Sequence, residues 1–410
     1  MITRDDCVQM DASDELATVR EMFTIPDGEI YLDGNSLGPV SRDVPARVRE
    51  VVGKEWAKGL VRSWNDAGWM AMPTRLGDRV APLIGARPGE VLVADTLTFL
   101  LAKLIGGALD LRPDRHVVLT DRDNFHSDLY IVHAMAERAG RPIVVKAMAR
   151  EDIAGALDDD VALVMLTHVD FRSGEMLDLH AVTKLVHDAG ALMLWDFAHS
   201  AGAVPLDVEG ADVDFAAGCG YKYLNGGPGA PAFCYVRTSW QGLLKNPLPG
   251  WLGHARPFAF EPSYEAASGM QAFVTSSPSI VALAVLDGAL NVFDHVSMEQ
   301  VRRKSLALTD LFVELVEARL VNTFDLVTPR EHDRRGSQVS LAHPDAYGVV
   351  QALIARGVTG DFRAPDVARF GLTPLYLRFV DVFDAVEILV DVMESKAYLK
   401  PVFSVRKPVT

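Results

Sequence analysis

Cysteine is scarce in this chain and is not arranged in pairs. Cys7, Cys219 and Cys234 are the three cysteines among 410 residues, and no two of them form a CxxC pair. Neither a zinc site of that type nor a disulfide framework is therefore expected. We expect a protein of a reducing compartment, and the cytoplasm is the simplest one.

Long apolar runs are also missing. No stretch approaches the roughly 18 apolar residues of a membrane span, and the N-terminus, MITRDDCVQMD, has no apolar signal-peptide core. Lys and Arg number 40 against 55 Asp and Glu, which gives a formal net charge of −15 at pH 7. This acidic balance argues against nucleic-acid or anionic membrane partners. A soluble cytoplasmic protein is the expectation.

The middle of the chain alternates apolar runs with helical patterns. Buried strands are predicted at HVVLT (116–120), RPIVVKAM (141–148), VALVMLTH (161–168) and ALMLWDFAH (191–199). Helical segments such as DLYIVHAMAERAG and DLHAVTKLVHDAG lie between them. Such alternation predicts an α/β fold with a mainly parallel sheet that helices cover on both faces.

The C-terminal third changes character. Ser297 and Gln300 form a capping-box pattern at the start of a helical stretch over 297–320. Shorter strands and helices follow it, which indicates a smaller α+β domain. We predict an N-terminal segment (1–40) that packs with the small domain, a large domain (41–295) and a small C-terminal domain (296–410).

Lys222 lies in the glycine-rich stretch AAGCGYKYLNGGPGAPAF (216–233). A solvated turn lysine is one interpretation. The other is a desolvated amine that does covalent chemistry among small and aromatic neighbours. Asp196 lies 26 residues earlier, where the strand ALMLW ends. It is either a turn or cap residue, or the carboxylate that accepts a hydrogen bond from a protonated pyridinium nitrogen.

Two more stretches begin at predicted strand ends. In ADTLTFLLAKLIGGAL, Asp95, Thr96 and Thr98 precede a helical run, which suits either plain N-capping or a phosphate site at a helix N-terminus. In NFHSDLY (124–130), Phe125 either packs in the core or stacks on a planar ring, and Asp128 could bond a ring substituent.

Together these stretches resemble the pyridoxal-phosphate enzymes of the aspartate-aminotransferase fold, and the resemblance is closest to the kynureninase family. The motifs that carry it run from end to end: IYLDGNSLGP, VRSWNDAGW, LTHVDFRSGEM, WDFAHSAGAVPLDV, YKYLNGGPG, GWLGH and RFGLTPLY. The resemblance implies fold type I, pyridoxal 5'-phosphate (PLP) as cofactor, and Lys222 as the aldimine lysine. It also implies a homodimer with its active site at the subunit interface.

The implied reaction is hydrolytic Cβ–Cγ cleavage of L-kynurenine to anthranilate and alanine, or of its 3-hydroxy form. The resemblance assigns Lys222 and Tyr221 to catalysis. It assigns cofactor contacts to Leu97, Thr98, Phe125, His126, Ser127, Asp128, Thr167, Asp196, His199, Tyr221, Lys222, Trp251 and Ser277. In this family, the residues at the positions of Trp251 and Ser277 reach the cofactor from the partner subunit. It assigns substrate contacts to Arg369, Trp64, Asn35 and Ser36. Departures from the family pattern occur at Phe99, His126 and Ser277.

Several alternatives stay open. GNSLG (34–38) matches the G-x-S-x-G nucleophile elbow of serine hydrolases, with Ser36 as nucleophile, although Pro39 follows where a helix should run. Another enzyme of the same cofactor fold, an aminotransferase or a desulfurase, is a second alternative. A non-catalytic cofactor-binding regulator is a third, although no basic DNA-binding segment is visible. The choice between kynurenine and its 3-hydroxy form, and between a catabolic and a biosynthetic pathway, is also open.

Overall fold

The computed structural model describes residues 2–407, and its strands form three sheets. In chain order the strands are β1 (Ile30–Tyr31), β2 (Val91–Ala94), β3 (Val117–Asp121), β4 (Val144–Met148), β5 (Val161–Thr167), β6 (Leu192–Asp196), β7 (Phe215–Gly218), β8 (Ala232–Val236), β9 (Asp325–Leu326), β10 (Gln338–Ala342), β11 (Val358–Thr359), β12 (Asp361–Arg363) and β13 (Val367–Gly371).

Helices cover these sheets. The α-helices are α1 (Arg4–Ala12), α2 (Val44–Glu50), α3 (Ser63–Asp66), α4 (Met72–Val80), α5 (Leu97–Asp110), α6 (His126–Arg138), α7 (Leu179–Asp188), α8 (Ile280–Leu290), α9 (Met298–Arg319), α10 (Ala346–Ile354) and α11 (Phe379–Glu394). A π-helical segment, Val51–Gly59, continues α2. The capping box predicted at Ser297 and Gln300 is present at the start of α9 and is confirmed.

The largest sheet has seven strands in the order β2-β8-β7-β6-β5-β3-β4. Every neighbouring pair from β7 to β4 is parallel, whereas β8 runs antiparallel to both β7 and β2. The mainly parallel sheet predicted from the sequence is therefore confirmed. Strands β5 and β6 are buried along their whole length, as their continuous apolar runs predict.

One strand prediction is wrong in its burial. RPIVVKAM was predicted to be a buried strand, but β4 lies at the edge of the sheet and its side chains are exposed or half-buried. Val144, for example, is 53% exposed. An edge strand has a neighbour on one side only, and an apolar run alone does not show which strand takes that place.

The sheet brings several chain segments to one edge. Strands β2, β3, β5, β6 and β7 all run in the same direction, so their carboxyl ends meet at the same edge. Helices α5 and α6 begin there, after β2 and β3. Ligands bind at this edge in sheets of this kind.

A four-stranded antiparallel sheet, β12-β13-β10-β9, lies in the C-terminal third. The N-terminal segment contacts this part of the chain, because β1 pairs in parallel with β11 and the Asp11 carboxylate accepts hydrogen bonds from the backbone N–H groups of Phe379 and Val380. The domain boundaries at residues 40 and 295 stay predictions.

Within residues 2–407, no single helix is both long enough and apolar enough to cross a membrane. The pair Ile280–His295 and Met298–Arg319 has the required length and composition only when its two helices are taken together, and they are bent by 85° relative to each other.

Candidate active site

A cavity of about 150 Å³ lies at the carboxyl edge of the large sheet. It brings together nine of the residues assigned from the sequence: Leu97, Thr98, Phe125, Ser127, Thr167, Asp196, His199, Tyr221 and Lys222. Its other walls are formed by Thr96, Phe171 and Ala198. Segments that are more than 100 residues apart in the chain therefore meet at one place, because the sheet puts their strands side by side.

Lys222 lies on this cavity, in the turn that follows β7. Its amine nitrogen Nζ is 3.0 Å from Nε2 of His199 and 5.7 Å from the centre of the Tyr221 ring. Burial lowers the pKa of His199 well below its ordinary value, and the positive charge of Lys222 lowers it further. The His199 ring is therefore neutral, and its Nε2 is suited to accept a hydrogen bond from the Lys222 amine.

Asp196 ends β6 and shares this buried region with Asp128 on α6. Its Oδ1 accepts a hydrogen bond from the Ala198 N–H at 2.8 Å. Burial raises the pKa of Asp196, and the Lys222 amine and that N–H oppose the rise. Burial also raises the pKa of Asp128 well above its ordinary value, and the Asp196 carboxylate adds to that rise. Asp128 is consequently the member of the pair that holds a proton most strongly.

Two polar side chains here fit a polar ligand. Among the described residues, neither oxygen of the buried Asp128 carboxyl has a hydrogen-bond partner, and Nδ1 of His199 has none either. Buried polar atoms without partners are rare and costly in folded proteins. Asp196, His199 and the Lys222 amine line the cavity, whereas Asp128 does not line it. These groups match the donor and acceptor groups of a phosphorylated pyridine aldehyde, so the residues present fit PLP.

The N-terminus of α5 forms another part of the cavity wall. Thr96 occupies the N-cap with extended backbone angles (φ −110°, ψ 160°), but its side chain makes no capping hydrogen bond. The Thr96 hydroxyl therefore does not cap α5, and N-capping does not explain this residue. Leu97 and Thr98 start the helix, and the first N–H groups of any helix have no partner within it. They are suited to bind an anion.

Two aromatic side chains flank the cavity. Phe125 precedes α6 and is 36% exposed, so it is not an ordinary core residue. Phe171 packs edge-on against it, with 5.2 Å between the ring centres and 85° between the planes. Phe171 was missed by the sequence analysis, although it lies in the quoted motif LTHVDFRSGEM directly after β5.

Arg369 lies on β13, in a buried cluster of charged groups. Its Nε donates to Asp361 at 2.7 Å, and its Nη2 donates to Ser36 at 2.8 Å. The carbonyl oxygen of Phe171 accepts a further hydrogen bond from Nη1. The guanidinium therefore connects the small antiparallel sheet both to the N-terminal segment and to a wall of the cavity. Its substrate role stays a prediction.

Other assigned residues do not line this cavity. Trp64 packs edge-on against Trp69, and Trp251 is 42% exposed beside Phe258. Ser277 lines a neighbouring cavity of about 300 Å³ that shares the Thr96 wall.

Two further assigned residues lie close by without lining the cavity. Asn35 is buried and its Nδ2 lies 3.4 Å from Oε1 of Gln338. His126 is the first residue of α6, and its ring centre is 4.4 Å from that of Phe125.

The geometry around Ser36 does not support the serine-hydrolase alternative. The segment 34–37 forms a turn that leads into an irregular segment, and the next helix begins only at Val44. A nucleophile elbow requires a helix directly after a strand and a sharp turn. The Ser36 hydroxyl donates to Oδ2 of Asp361 at 2.7 Å and accepts from Arg369. Among the described residues its side-chain partners are Asp361, Arg363 and Arg369, and none of them is the histidine that serves as the base of a serine-hydrolase triad.

Comparison with known proteins gives the family. The model of the kynureninase C-terminal domain matches residues 301–389. A curated kynureninase of Burkholderia pseudomallei (strain 1106a) is 50% identical over 416 residues, which cover all of both chains, and one of Pseudomonas fluorescens is 49% identical over the same span.

Solved structures show the same fold at low identity. A C-DES variant with glycine covalently linked to its PLP cofactor has a TM-score of 0.78 at 18% identity and covers 91% of this chain and 99% of its own. The cysteine desulfurase CsdA from Escherichia coli has a TM-score of 0.77 at 17% identity and covers 93% and 99%. These two show the fold alone. Because the full-length relatives are half identical, the chain belongs to the kynureninase family.

Proposed function

We propose that this enzyme hydrolyses the Cβ–Cγ bond of L-kynurenine, releasing anthranilate and L-alanine, with PLP as its cofactor. The observation that carries the proposal is the convergence of the Lys222 amine, the Asp196 carboxylate and the α5 N-terminus on one cavity. The whole-length identity to curated kynureninases supports it.

The residues that would hold the cofactor follow from the site. Lys222 would bond to its aldehyde carbon, and Asp196 would accept from its ring nitrogen. The N–H groups at the start of α5 would bind its phosphate, beside Leu97 and Thr98. When bound, PLP supplies a sink for the electrons that are released at the substrate α-carbon.

Proton transfers fall to two neighbouring side chains. The Lys222 amine, once free, takes the proton from the substrate α-carbon, and the neutral His199 ring keeps it aligned through the 3.0 Å contact. Burial raises the pKa of the Tyr221 phenol, and the neighbouring Cys219 adds to the rise. A phenol that stays protonated can donate at the γ-carbonyl when water adds there, which is the general-acid role this cleavage needs.

The Arg369 cluster is suited to the α-carboxylate of the substrate. Burial and the Asp361 charge raise the pKa of Asp33 to about 7, so that below this pH Asp33 is neutral. Asp361 is paired with both Arg369 and Arg363. Two guanidinium charges then face one carboxylate, and the remaining positive charge favours an anionic substrate group.

The structure also weighs against a desulfurase. Enzymes of that class pass sulfur through an accessible cysteine thiol, whereas Cys7, Cys219 and Cys234 are all buried. Burial raises the pKa of the thiol to about 11 for Cys7 and to about 12 for Cys234, which keeps these groups unreactive.

The direct test of the reaction is to mix the purified, PLP-supplemented protein with L-kynurenine and to follow anthranilate fluorescence. We expect a rise at a catalytic rate, and a parallel run with the 3-hydroxy substrate measures the preference between the two. A protein that shows the absorbance of bound PLP but releases no anthranilate would contradict the reaction while leaving the cofactor in place. Turnover with a 2-oxo acid would indicate an aminotransferase instead.

We further propose a homodimer in which each subunit completes the site of the other. Trp251 and Ser277, which the family resemblance assigns to the cofactor, do not line the cavity of their own chain. Large apolar side chains also lie exposed nearby, including Phe258 and Phe260, which are 62% and 81% exposed. Exposed apolar groups of this kind mark protein interfaces. The cytoplasmic location stays a prediction from the sequence.

Mixing two impaired variants tests the shared site. We expect Lys222→Ala and Trp251→Ala chains, each weakly active or inactive alone, to recover up to about a quarter of wild-type activity after subunit exchange, since half of the dimers are mixed and one of their two sites is intact. Anthranilate fluorescence measures the recovery, and light scattering measures the mass of the assembly.

The matched control mixes Lys222→Ala with Asp196→Ala. Both residues line the cavity of one chain, so that no site in a mixed dimer is intact and no recovery is expected. If Trp251 acted within its own chain, the first mixture would also stay inactive, and the shared site would be ruled out.

A further inference from the structure

Asp95 has an unusual backbone conformation at the entrance to α5. Its φ of 48° lies in the left-handed region, which residues other than glycine seldom adopt and which Asp tolerates better than most. It follows β2 directly, and its carbonyl oxygen accepts a hydrogen bond from the Ala232 N–H at 3.1 Å. The next three residues, 96–98, all line the cavity. The conformation of Asp95 therefore sets the direction of this wall.

A buried lysine holds Asp95 in place. The Lys103 side chain on α5 is 1% exposed, and its Nζ lies 2.5 Å from Oδ2 of Asp95 and 2.7 Å from the carbonyl oxygen of Phe273. A buried ammonium group is tolerated only with such partners. Phe273 ends the short helix Gly269–Phe273, and the residues just after it line the neighbouring cavity together with Asp95 and Thr96.

We propose that Lys103 is a positioning residue that fixes the Asp95–Thr98 turn in the shape that receives the cofactor phosphate. The inference rests on the proposed function, which puts the phosphate at this turn. Lys103 is outside the cavity itself, so it acts through Asp95 and not by contact with the ligand.

Two physical effects follow from the pair. The first is a tether, because Lys103 connects the turn to the body of its own helix and to the Phe273 carbonyl. The second is charge compensation. Asp95 directly precedes residues 96–98, whose N–H groups would bind the phosphate. Without Lys103, the negative charge of the Asp95 carboxylate would repel a phosphate dianion bound there. Both effects concern the phosphate and not the pyridine ring.

Lys103→Met tests this role, because methionine has nearly the same length and no charge. We expect the Kd of the full-length chain for PLP to rise at least about 10-fold, and the Kd for pyridoxal, which lacks the phosphate, to change less than about 3-fold. Quenching of tryptophan fluorescence on titration measures both values. Lys184→Met is the matched control, since Lys184 pairs with Asp188 at 2.6 Å on the exposed face of α7, and it should change neither value.

A second pair of variants keeps the test decisive if Lys103→Met does not fold. Asp95→Asn keeps an oxygen acceptor for Lys103 and tolerates the left-handed backbone, whereas Asp95→Ala does neither. Both variants remove the negative charge of Asp95, so the comparison between them is free of any charge difference. Asp95→Ala should bind PLP several-fold more weakly than Asp95→Asn, again without a matching change for pyridoxal.

The outcomes separate this inference from the proposed function. Equal losses of PLP and pyridoxal affinity in Lys103→Met, or no loss at all, would overturn the role of Lys103 alone, as would identical PLP affinities for the two Asp95 variants. A wild-type chain that binds pyridoxal as tightly as PLP would overturn the phosphate site as well. None of these measurements uses kynurenine, so they do not depend on the reaction.

Discussion

Replacing Lys222 with alanine is expected to reduce kynurenine turnover more than about 1,000-fold, because the variant lacks both the covalent attachment and the base at the α-carbon. The visible absorbance band of covalently bound PLP should disappear at the same time. The amine and Nε2 of His199 are 3.0 Å apart, so the variant also leaves the buried ring without that partner. The expected cost in stability is about 1–3 kcal/mol, which is small beside the loss of activity.

Two controls separate the chemistry of Lys222 from its contribution to stability. Lys184→Ala removes an exposed lysine from α7 and should leave turnover unchanged. A soluble primary amine, such as ethylamine, should restore part of the activity of Lys222→Ala, because it supplies the missing base without restoring any contact of the fold. Turnover at the wild-type rate in Lys222→Ala would rule out this residue as the attachment point.

Much of the site follows from the order of elements in the chain. Apolar runs give the strands, and parallel strands put their carboxyl ends at one edge. For that reason Asp196 at the end of β6 and Lys222 after β7 could be expected at the same place, as could the start of α5. Nine of the assigned residues do line one cavity. The assignment of individual roles came from the family resemblance and not from periodicity.

The remainder depends on contacts that sequence spacing does not encode. Arg369 donates hydrogen bonds to the Ser36 hydroxyl, more than 300 residues earlier in the chain, and to the backbone carbonyl oxygen of Phe171. Because every residue has a backbone carbonyl, the sequence does not indicate which one accepts this hydrogen bond. The edge position of β4 depends on strand order, which an apolar pattern does not state. Lys103 likewise lies in a mostly apolar helix. Its partner Asp95 is eight residues earlier in the chain, which is too far for the side-chain pairs at i+3 and i+4 that helix geometry predicts.

Substitution of Arg369 should weaken substrate binding more than substitution of any other residue considered above. Its side chain is 1% exposed and carries two hydrogen bonds to Asp361, so that an alanine there would leave a buried carboxylate short of a partner and would destabilise the chain by about 3–5 kcal/mol. Lysine is the sharper replacement. It keeps a positive charge beside Asp361 but lacks the planar fork that binds a carboxylate through two parallel hydrogen bonds.

We therefore expect Arg369→Lys to raise the KM for kynurenine about 10- to 100-fold, since a charge-assisted pair of hydrogen bonds contributes roughly 1.5–3 kcal/mol. The PLP absorbance band should be unchanged. Arg363→Lys is the control, because Arg363 also pairs with Asp361 at 2.7 Å but has a side chain that is 35% exposed, and its effect on KM should be only a few-fold. An unchanged KM in Arg369→Lys would mean that the positive charge of the cluster, and not the Arg369 fork, binds the substrate carboxylate. Loss of the PLP band in Arg369→Lys would instead place this guanidinium on the cofactor side of the site.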